Sequence, residues 1–315
     1  MLDIFAITTP IFLLIGIGYL AVMLRLLDKG QVQSLGGFVI NFALPALIIR
    51  ALIQKPIGEV FNPVYLAAYG LGSGALFAAV LVFARLRGKP LGESAVFALG
   101  TSSANSGFIG YPIAAMVVGP MAAIAMALNM VVENLLMIPT ALALAEAGRQ
   151  QGGSFWSALF KTLRRLTRNP ILIAIFSGLI IAVSGLELPA PVFKTIDMLA
   201  TAAGPTALFV VGGSLYGLQV RGMFSEVSQI VFAKLLLHPL AVFLMLLWLP
   251  PLDPALATAA IVLASVPMLS VYPILGQRYG HGELCTASLM LATLLSFVTV
   301  STLLWLIEAQ RLPIP

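Results

Sequence analysis

Thr101-Ser-Ser-Ala-Asn-Ser-Gly-Phe-Ile-Gly-Tyr-Pro-Ile113 and Ala264-Ser-Val-Pro-Met-Leu-Ser-Val-Tyr-Pro-Ile274 are two versions of one interrupted pattern. Each lies in an apolar stretch long enough to cross a bilayer, and each ends on Tyr-Pro-Ile, with Tyr111 standing 161 positions before Tyr272. Pro112 and Pro273 each remove a backbone donor and free a carbonyl in the preceding turn. Gly107 and Gly110 loosen the first break, and Pro267 marks the start of the second. Lipid offers no hydrogen bonds, so broken backbone at that depth must be buried in protein or line a wet cavity. Paired breaks at corresponding places in two halves of a chain point to the binding site of a secondary transporter.

Composition puts these stretches in lipid. The 315 residues are 60% hydrophobic and 9% charged, with a mean hydropathy of +1.04, and a water-soluble domain of this length could not cover them with polar surface. At about 20 apolar residues per span, ten spans fit: roughly 4–24, 32–53, 63–84, 93–117, 121–145, 169–184, 196–217, 227–249, 255–276 and 284–307. The first reads as a retained helix rather than a signal peptide, because Asp3 precedes the apolar run while Arg25 and Lys29 follow it. Cys285 is the single cysteine, which excludes an intrachain disulfide. The formal charge of +5 is better assigned to loops obeying the positive-inside rule than to nucleic-acid binding. With an outside N-terminus, twelve Lys and Arg fall in inside loops and four in outside segments. That bias places both termini outside, periplasmic if this is a bacterial inner membrane, and the 146–168 loop in the cytoplasm.

The halves match beyond the breaks. Pro10 and Pro170, Gly18 and Gly178, and Pro45 and Pro205 are each 160 apart, and Gly119 precedes Gly280 by 161. Each half has five spans, an odd number, so the halves enter the membrane in opposite senses. The expected fold is an all-α integral membrane protein of ten transmembrane helices. Residues 1–145 and 169–315 form two inverted five-helix repeats joined by the 146–168 linker, with helices four and nine broken and crossing.

The candidate binding residues follow from that crossing. Half-helix N-termini carry partial positive charge and unpaired N–H groups, which suit an anion. Ser103, Asn105, Ser106, Gly107, Tyr111 and Pro112 supply the first segment, and Ser265, Pro267, Ser270, Tyr272 and Pro273 the second. The competing reading is of ordinary proline kinks with serines bonded back to the backbone. Glu133 lies roughly 18 Å from either interface at 1.5 Å per residue, too far to snorkel. A carboxylate there must be protonated, paired or facing a cavity. It reads as a coupling site or a support for the crossed helices, or alternatively as a protonated interhelical bond. Asn129 is one turn before it on the same face. Lys234 snorkels, pairs with Glu133 or attracts an anion. His238, at i+4, reads as a packed histidine ahead of a proton carrier. Asn41 caps the Pro45 kink or lines the pathway.

Asn41-Phe-Ala-Leu-Pro-Ala-Leu, Asn105-Ser-Gly-Phe-Ile-Gly-Tyr-Pro-Ile, Lys234-Leu-Leu-Leu-His-Pro-Leu and the 267–273 break resemble the auxin efflux carrier family. That family contains the plant PIN exporters and bacterial permeases for malonate or malate. The resemblance spans the chain, and the short 146–168 loop is like the bacterial members. It implies a fold similar to the bile acid:sodium symporters. Spans 1, 2, 6 and 7 would form a scaffold, often dimeric, and spans 3–5 and 8–10 a core that shifts like an elevator. Asn105 and Pro112 carry over to the family's first crossing. The second crossing lacks an amide like Asn105, which leaves anion binding asymmetric.

The expected function is therefore secondary transport of a small organic anion, a mono- or dicarboxylate or an auxin-like acid. No cofactor or metal is expected, and Glu133 would couple a proton ahead of sodium. An enzyme is not expected. His-Glu-x-x-His is absent, His238 and His281 are the only histidines, no aspartate pair sits in the spans, and Ser106 has no recognisable base. A solute channel and a non-transporting membrane sensor are the alternatives.

Overall fold

The computed structural model describes residues 2–54, 62–149, 167–217 and 223–309, with Phe160 and Arg164 between them. Most of the 146–168 linker therefore lies outside the described residues. Among those described there is no strand. The helices are α1 (Leu2–Met23), α2 (Lys29–Ile53), α3 (Pro63–Leu86), α4 (Leu91–Ser102), α5 (Tyr111–Val118), α6 (Met121–Gly148), α7 (Pro170–Ser184), α8 (Ala190–Leu215), α9 (Phe224–Trp248), α10 (Pro254–Ser265), α11 (Tyr272–Arg278) and α12 (Gly282–Glu308). Six of them, α2, α3, α6, α8, α9 and α12, are long and apolar enough to cross a membrane.

Prolines shape these helices in a regular way. Wide π turns occupy Val39–Ala43, Ser106–Gly110, Glu133–Met137 and Ala233–Leu237. Each ends two residues before a proline: Pro45, Pro112, Pro139 and Pro239. A proline ring collides with the carbonyl four residues back and supplies no N–H, and widening the turn relieves both problems. Every one of these turns carries a polar residue inside the apolar stretch: Asn41, Ser106, Glu133 with Asn134, and Lys234. Pro10 and Pro205 sit within continuous α-helix instead. The Pro45 and Pro205 positions therefore differ in local geometry, although their spacing pairs them.

Two segments break outright. Pro267 pushes the residue before it out of the helical region, and Val266 is extended at φ −75°, ψ 162°, which ends α10 at Ser265. In the first segment Ser103 is extended and Asn105 caps the π turn that leads into α5. Gly119 after α5 and Gly280 after α11 both take positive φ, +62° and +84°, where a side chain would be strained.

Packing pairs α1 with α8, α2 with α7 and α8, α3 with α4 and α9, α4 with α6, and α11 with α12. Two of these contacts are reciprocal. A Cβ on Gly18 would meet the Phe209 carbonyl of α8, and one on Gly178 would meet Leu52 and Ile49 of α2. The contact between α1 and α8 is backbone to backbone, the close approach that small residues permit in lipid. A Cβ on Gly212 would stand 1.8 Å from the Ile15 oxygen, whereas nothing lies within 4 Å of one on Gly16. Gly212→Ala should therefore prevent recovery of folded protein. Gly16→Ala, next to Ile15 on α1, should be neutral or raise the melting temperature, because alanine is favoured over glycine in a helix by about 1 kcal/mol. Size-exclusion elution and thermal melting of the two variants test this, and equal behaviour would refute the close contact.

Candidate functional site at the crossing of two broken helices

The two breaks meet. The Asn105 N–H donates to the Pro267 carbonyl at 2.8 Å, and the Asn105 side-chain amide donates to Ser270 Oγ at 2.6 Å. Asn105 also caps its own segment. Its Oδ1 accepts from the Phe108 N–H, and its carbonyl accepts from Ile109 and Gly110. One residue thus starts the helix after the first break and ties it to the second. Glycines let the segments close on each other. Tyr272 lies against Gly100, where a Cβ would stand 2.4 Å from its hydroxyl, and Gly110 lies against Leu263. The Ser103 and Tyr272 hydroxyls are buried with no hydrogen-bond partner among the described residues. A buried polar atom without a partner calls for an explanation, and these two of the six such atoms among the described residues belong to the two broken segments.

Buried charges brace the two breaks from opposite sides. Glu133 on α6 is 2% exposed, and its Oε1 accepts from the Ala104 N–H (2.9 Å), the Ser106 hydroxyl (3.0 Å) and the Tyr69 hydroxyl (3.1 Å). A carboxylate at the N-terminal start of the π turn and α5 complements the partial positive charge there. Lys234 on α9 is fully buried, and its Nζ donates to the Ala264 carbonyl at 2.9 Å. That carbonyl belongs to the last turn of α10, where a cation is favoured for the same reason. Lys234 Nζ also lies 2.6 Å from His238 Nδ1, and His238 Nε2 lies 2.8 Å from Ser73 Oγ. With Lys234 as an ammonium, a donor only, Nδ1 accepts and Nε2 holds the proton that it donates to Ser73. The Tyr69 ring closes the gap between the two charges, edge-on to His238 at 5.7 Å.

Lys234 accordingly does not snorkel, and it makes no direct salt bridge to Glu133 among the described residues, although the two buried charges attract each other through the interior. Its ammonium is committed to α10. His238 is packed, and its ring nitrogens bond to the Lys234 and Ser73 side chains. Asn129 is buried and accepts from the Tyr65 hydroxyl at 2.8 Å, while its own amide nitrogen has no partner among the described residues. Asn41 is not at the crossing. It is exposed and bonds back to the Gly37 carbonyl within α2, next to the Pro45 kink. Ser265 likewise bonds back to Val262. Ser106 faces Glu133, Gly107 packs against Leu44 and Met130, and Tyr111 and Pro112 lie against Gly204 of α8. Pro273 opens α11 at its second position.

Sequence reasoning missed Tyr65, Tyr69 and Ser73. They lie on one face of α3 at i, i+4 and i+8, and their polar tips serve Asn129, Glu133 and His238 in turn. That spacing was the available signal. At the edge of this assembly Lys89 bridges Glu93 and Glu226, joining the turn before α4 to α9. Burial opposes the Lys89 charge, and the two carboxylates outweigh it, holding its amine above the ordinary lysine range. Arg278 of α11 pairs with Glu146 of α6 at 3.8 Å. Arg50 of α2 pairs with Asp197 of α8 at 2.7 Å.

Comparison with known proteins sets this geometry in context. The family model described as membrane transport protein matches residues 4–306. A Rhizobium meliloti protein named "Putative malonate transporter" is 32% identical over 99% of this chain and 98% of its own length. An "Uncharacterized transporter" of Methanothermobacter thermautotrophicus is 25% identical over 73% of this chain and 74% of its own. The mouse "Lysosomal cholesterol signaling protein" is 26% identical over 71% of this chain and 27% of its own length.

Proposed function

This chain belongs to the membrane transport protein family, and from that premise we propose that it is a secondary active carrier of a small organic anion, a short dicarboxylate such as malonate. The observation that carries the reading is the bonded crossing of two broken helices at Asn105, Pro267 and Ser270. Broken helices meeting at depth are where transporters of inverted-repeat design hold their substrates. The name of the Rhizobium meliloti relative supports the choice of acid.

In this reading the chain crosses the membrane ten times as two inverted repeats, in a bacterial inner membrane with both termini periplasmic. The reciprocal Gly18 and Gly178 contacts and the paired positive-φ glycines support the repeat. Helices α1, α2, α7 and α8 form a scaffold, and the remaining helices form a core that carries the substrate across by an elevator-like shift. The packing supports that division, as do the ion pairs: Arg50–Asp197 stays within the scaffold, and Lys89–Glu226 and Arg278–Glu146 within the core. The substrate carboxylate takes donors at the breaks, with Ser103, Asn105, Ser270 and Tyr272 as its side-chain partners. Glu133 couples a proton to the same break through the Ala104 N–H.

Saturable counterflow of labelled malonate in proteoliposomes is the test. Asn105→Ala should weaken apparent affinity about 10- to 150-fold, the range for losing one hydrogen bond to a charged group. Absence of counterflow with malonate and with other short dicarboxylates would remove the reading. Binding of a labelled ligand without any movement would favour a sensor instead, the second reading, which the name of the mouse relative supports.

A further inference from the structure

A groove of about 540 Å³ runs between Leu135 on α6 and Leu172, Ile173, Phe176 and Ile180 on α7, with Thr167 at one end. None of its lining residues is among those placed at the crossing, although Leu135 shares the π turn of Glu133. Its walls face outward: Leu135 is 40% exposed, Ile173 53%, Phe176 57% and Ile180 67%. From Leu172 to Ile180 the groove follows α7 for roughly 12 Å at 1.5 Å per residue, within the depth of one leaflet of a hydrocarbon core about 30 Å thick.

Charge marks one end only. Residues 147–186 contain no aspartate or glutamate, and they hold Arg149, Lys161, Arg164, Arg165 and Arg168. These five cations equal the whole formal charge of +5, so the rest of the chain is balanced. Arg164 and Arg168 are exposed and flank Thr167, whose hydroxyl donates to the Arg164 carbonyl at 2.9 Å. The positive-inside rule accounts for cations here, but not for an apolar groove within one leaflet's depth that opens beside them. Basic pockets between helices on the cytoplasmic side are where anionic lipid headgroups settle.

We propose that the groove between α6 and α7 is a binding site for one anionic phospholipid, its acyl chain along Ile173, Phe176 and Ile180 and its headgroup phosphate at Arg164 and Arg168. The proposal does not depend on the identity of the transported solute. The site lies beside a hydrogen bond between the two walls, from the Asn169 amide to Asn134 Oδ1 at 3.1 Å. Asn134 is in the π turn of Glu133, and Asn169 caps α7 through the Ile171 N–H. A lipid seated there touches both helices next to the bond that joins them.

The test uses the full chain in detergent, titrated separately with phosphatidylglycerol and phosphatidylcholine, with bound lipid counted by native mass spectrometry. Phosphatidylglycerol should be retained preferentially. The double variant Arg164→Gln, Arg168→Gln should weaken it roughly 30-fold, from about fivefold per cation near a membrane surface, and leave phosphatidylcholine unchanged. Ser177→Trp, at a half-buried position on the groove wall, keeps the charges and should reduce retention of both lipids. Equal retention of the two lipids by the wild-type chain overturns the proposal, as does phosphatidylglycerol binding untouched by both variants. A lipid-free dimer that Ser177→Trp dissociates also overturns it, and gives the groove to a second copy of the chain.

Discussion

Glu133→Gln should abolish proton-driven accumulation of substrate in proteoliposomes while leaving counterflow and the melting temperature nearly unchanged. The reasoning starts from the three donors on Oε1. A glutamine keeps an oxygen in that place, so the Ala104 N–H, Ser106 and Tyr69 remain satisfied. What it loses is the ability to take up and release a proton, and with it the charge that faces the break. Counterflow exchanges labelled for unlabelled solute without net ion movement, so it should survive. Accumulation needs the coupled ion, so it should not. Glu133→Leu separates the two roles from the other direction. It strands three buried donors at about 1–3 kcal/mol each, and should cost folding as well as transport. Wild-type accumulation by Glu133→Gln would reduce Glu133 to a brace.

Lys234→Met should be the most damaging single change at the site that alters no backbone. Methionine matches the length of the lysine stem but donates nothing. The Ala264 carbonyl at the end of α10 and Nδ1 of His238 would both lose their donor inside the protein. His238 can recover by changing tautomer only if Ser73 then donates to Nε2, and the Ala264 carbonyl keeps at best that neutral Nδ1–H in place of an ammonium. Removing one member of a buried charged network costs about 3–5 kcal/mol, and the deficit falls on the second break. The expected result is a fall in melting temperature together with loss of malonate counterflow. Lys89→Met, which removes another cation from the same group of helices at its edge, should lower stability slightly and spare counterflow, since partly exposed ion pairs contribute about 0–1 kcal/mol. Equal effects of the two substitutions would show that Lys234 has no special hold on α10.

The sequence made the breaks visible because their cause is local. Pro267 forces Val266 out of the helix, Gly107 and Gly110 soften the first segment, and the Tyr-Pro-Ile endings mark both. Glu133 was visible for a different reason, since a carboxylate far from both interfaces demands an explanation wherever it points. Its partners were not visible. Tyr69 is 64 residues away, and the Ala104 N–H is a backbone group that any residue would supply. Lys234 misled for the same reason. Sequence offers Glu133 as the obvious mate for a buried ammonium, yet the partner is the Ala264 carbonyl, which carries no signature. Sequence left Asn41 with two readings, a cap on the Pro45 kink or a place on the pathway, and its amide bonds to the Gly37 carbonyl one turn back in the same helix.

A π turn is an α-helix holding one residue too many. The helix α9 carries such a turn at Ala233–Leu237 within its 25 residues, whereas α3, with 24, carries none. Its surplus residue is an insertion that the helix has absorbed without unfolding. Each residue turns an α-helix by about 100°, so an absorbed insertion rotates everything on one side of it against everything on the other. Phe232, Leu236 and Leu237 thereby stay on the outer surface while Lys234 and His238 swing inward. A single-residue change in length, with no change in composition, is enough to carry a charge from the lipid side of a helix to the inside of the protein.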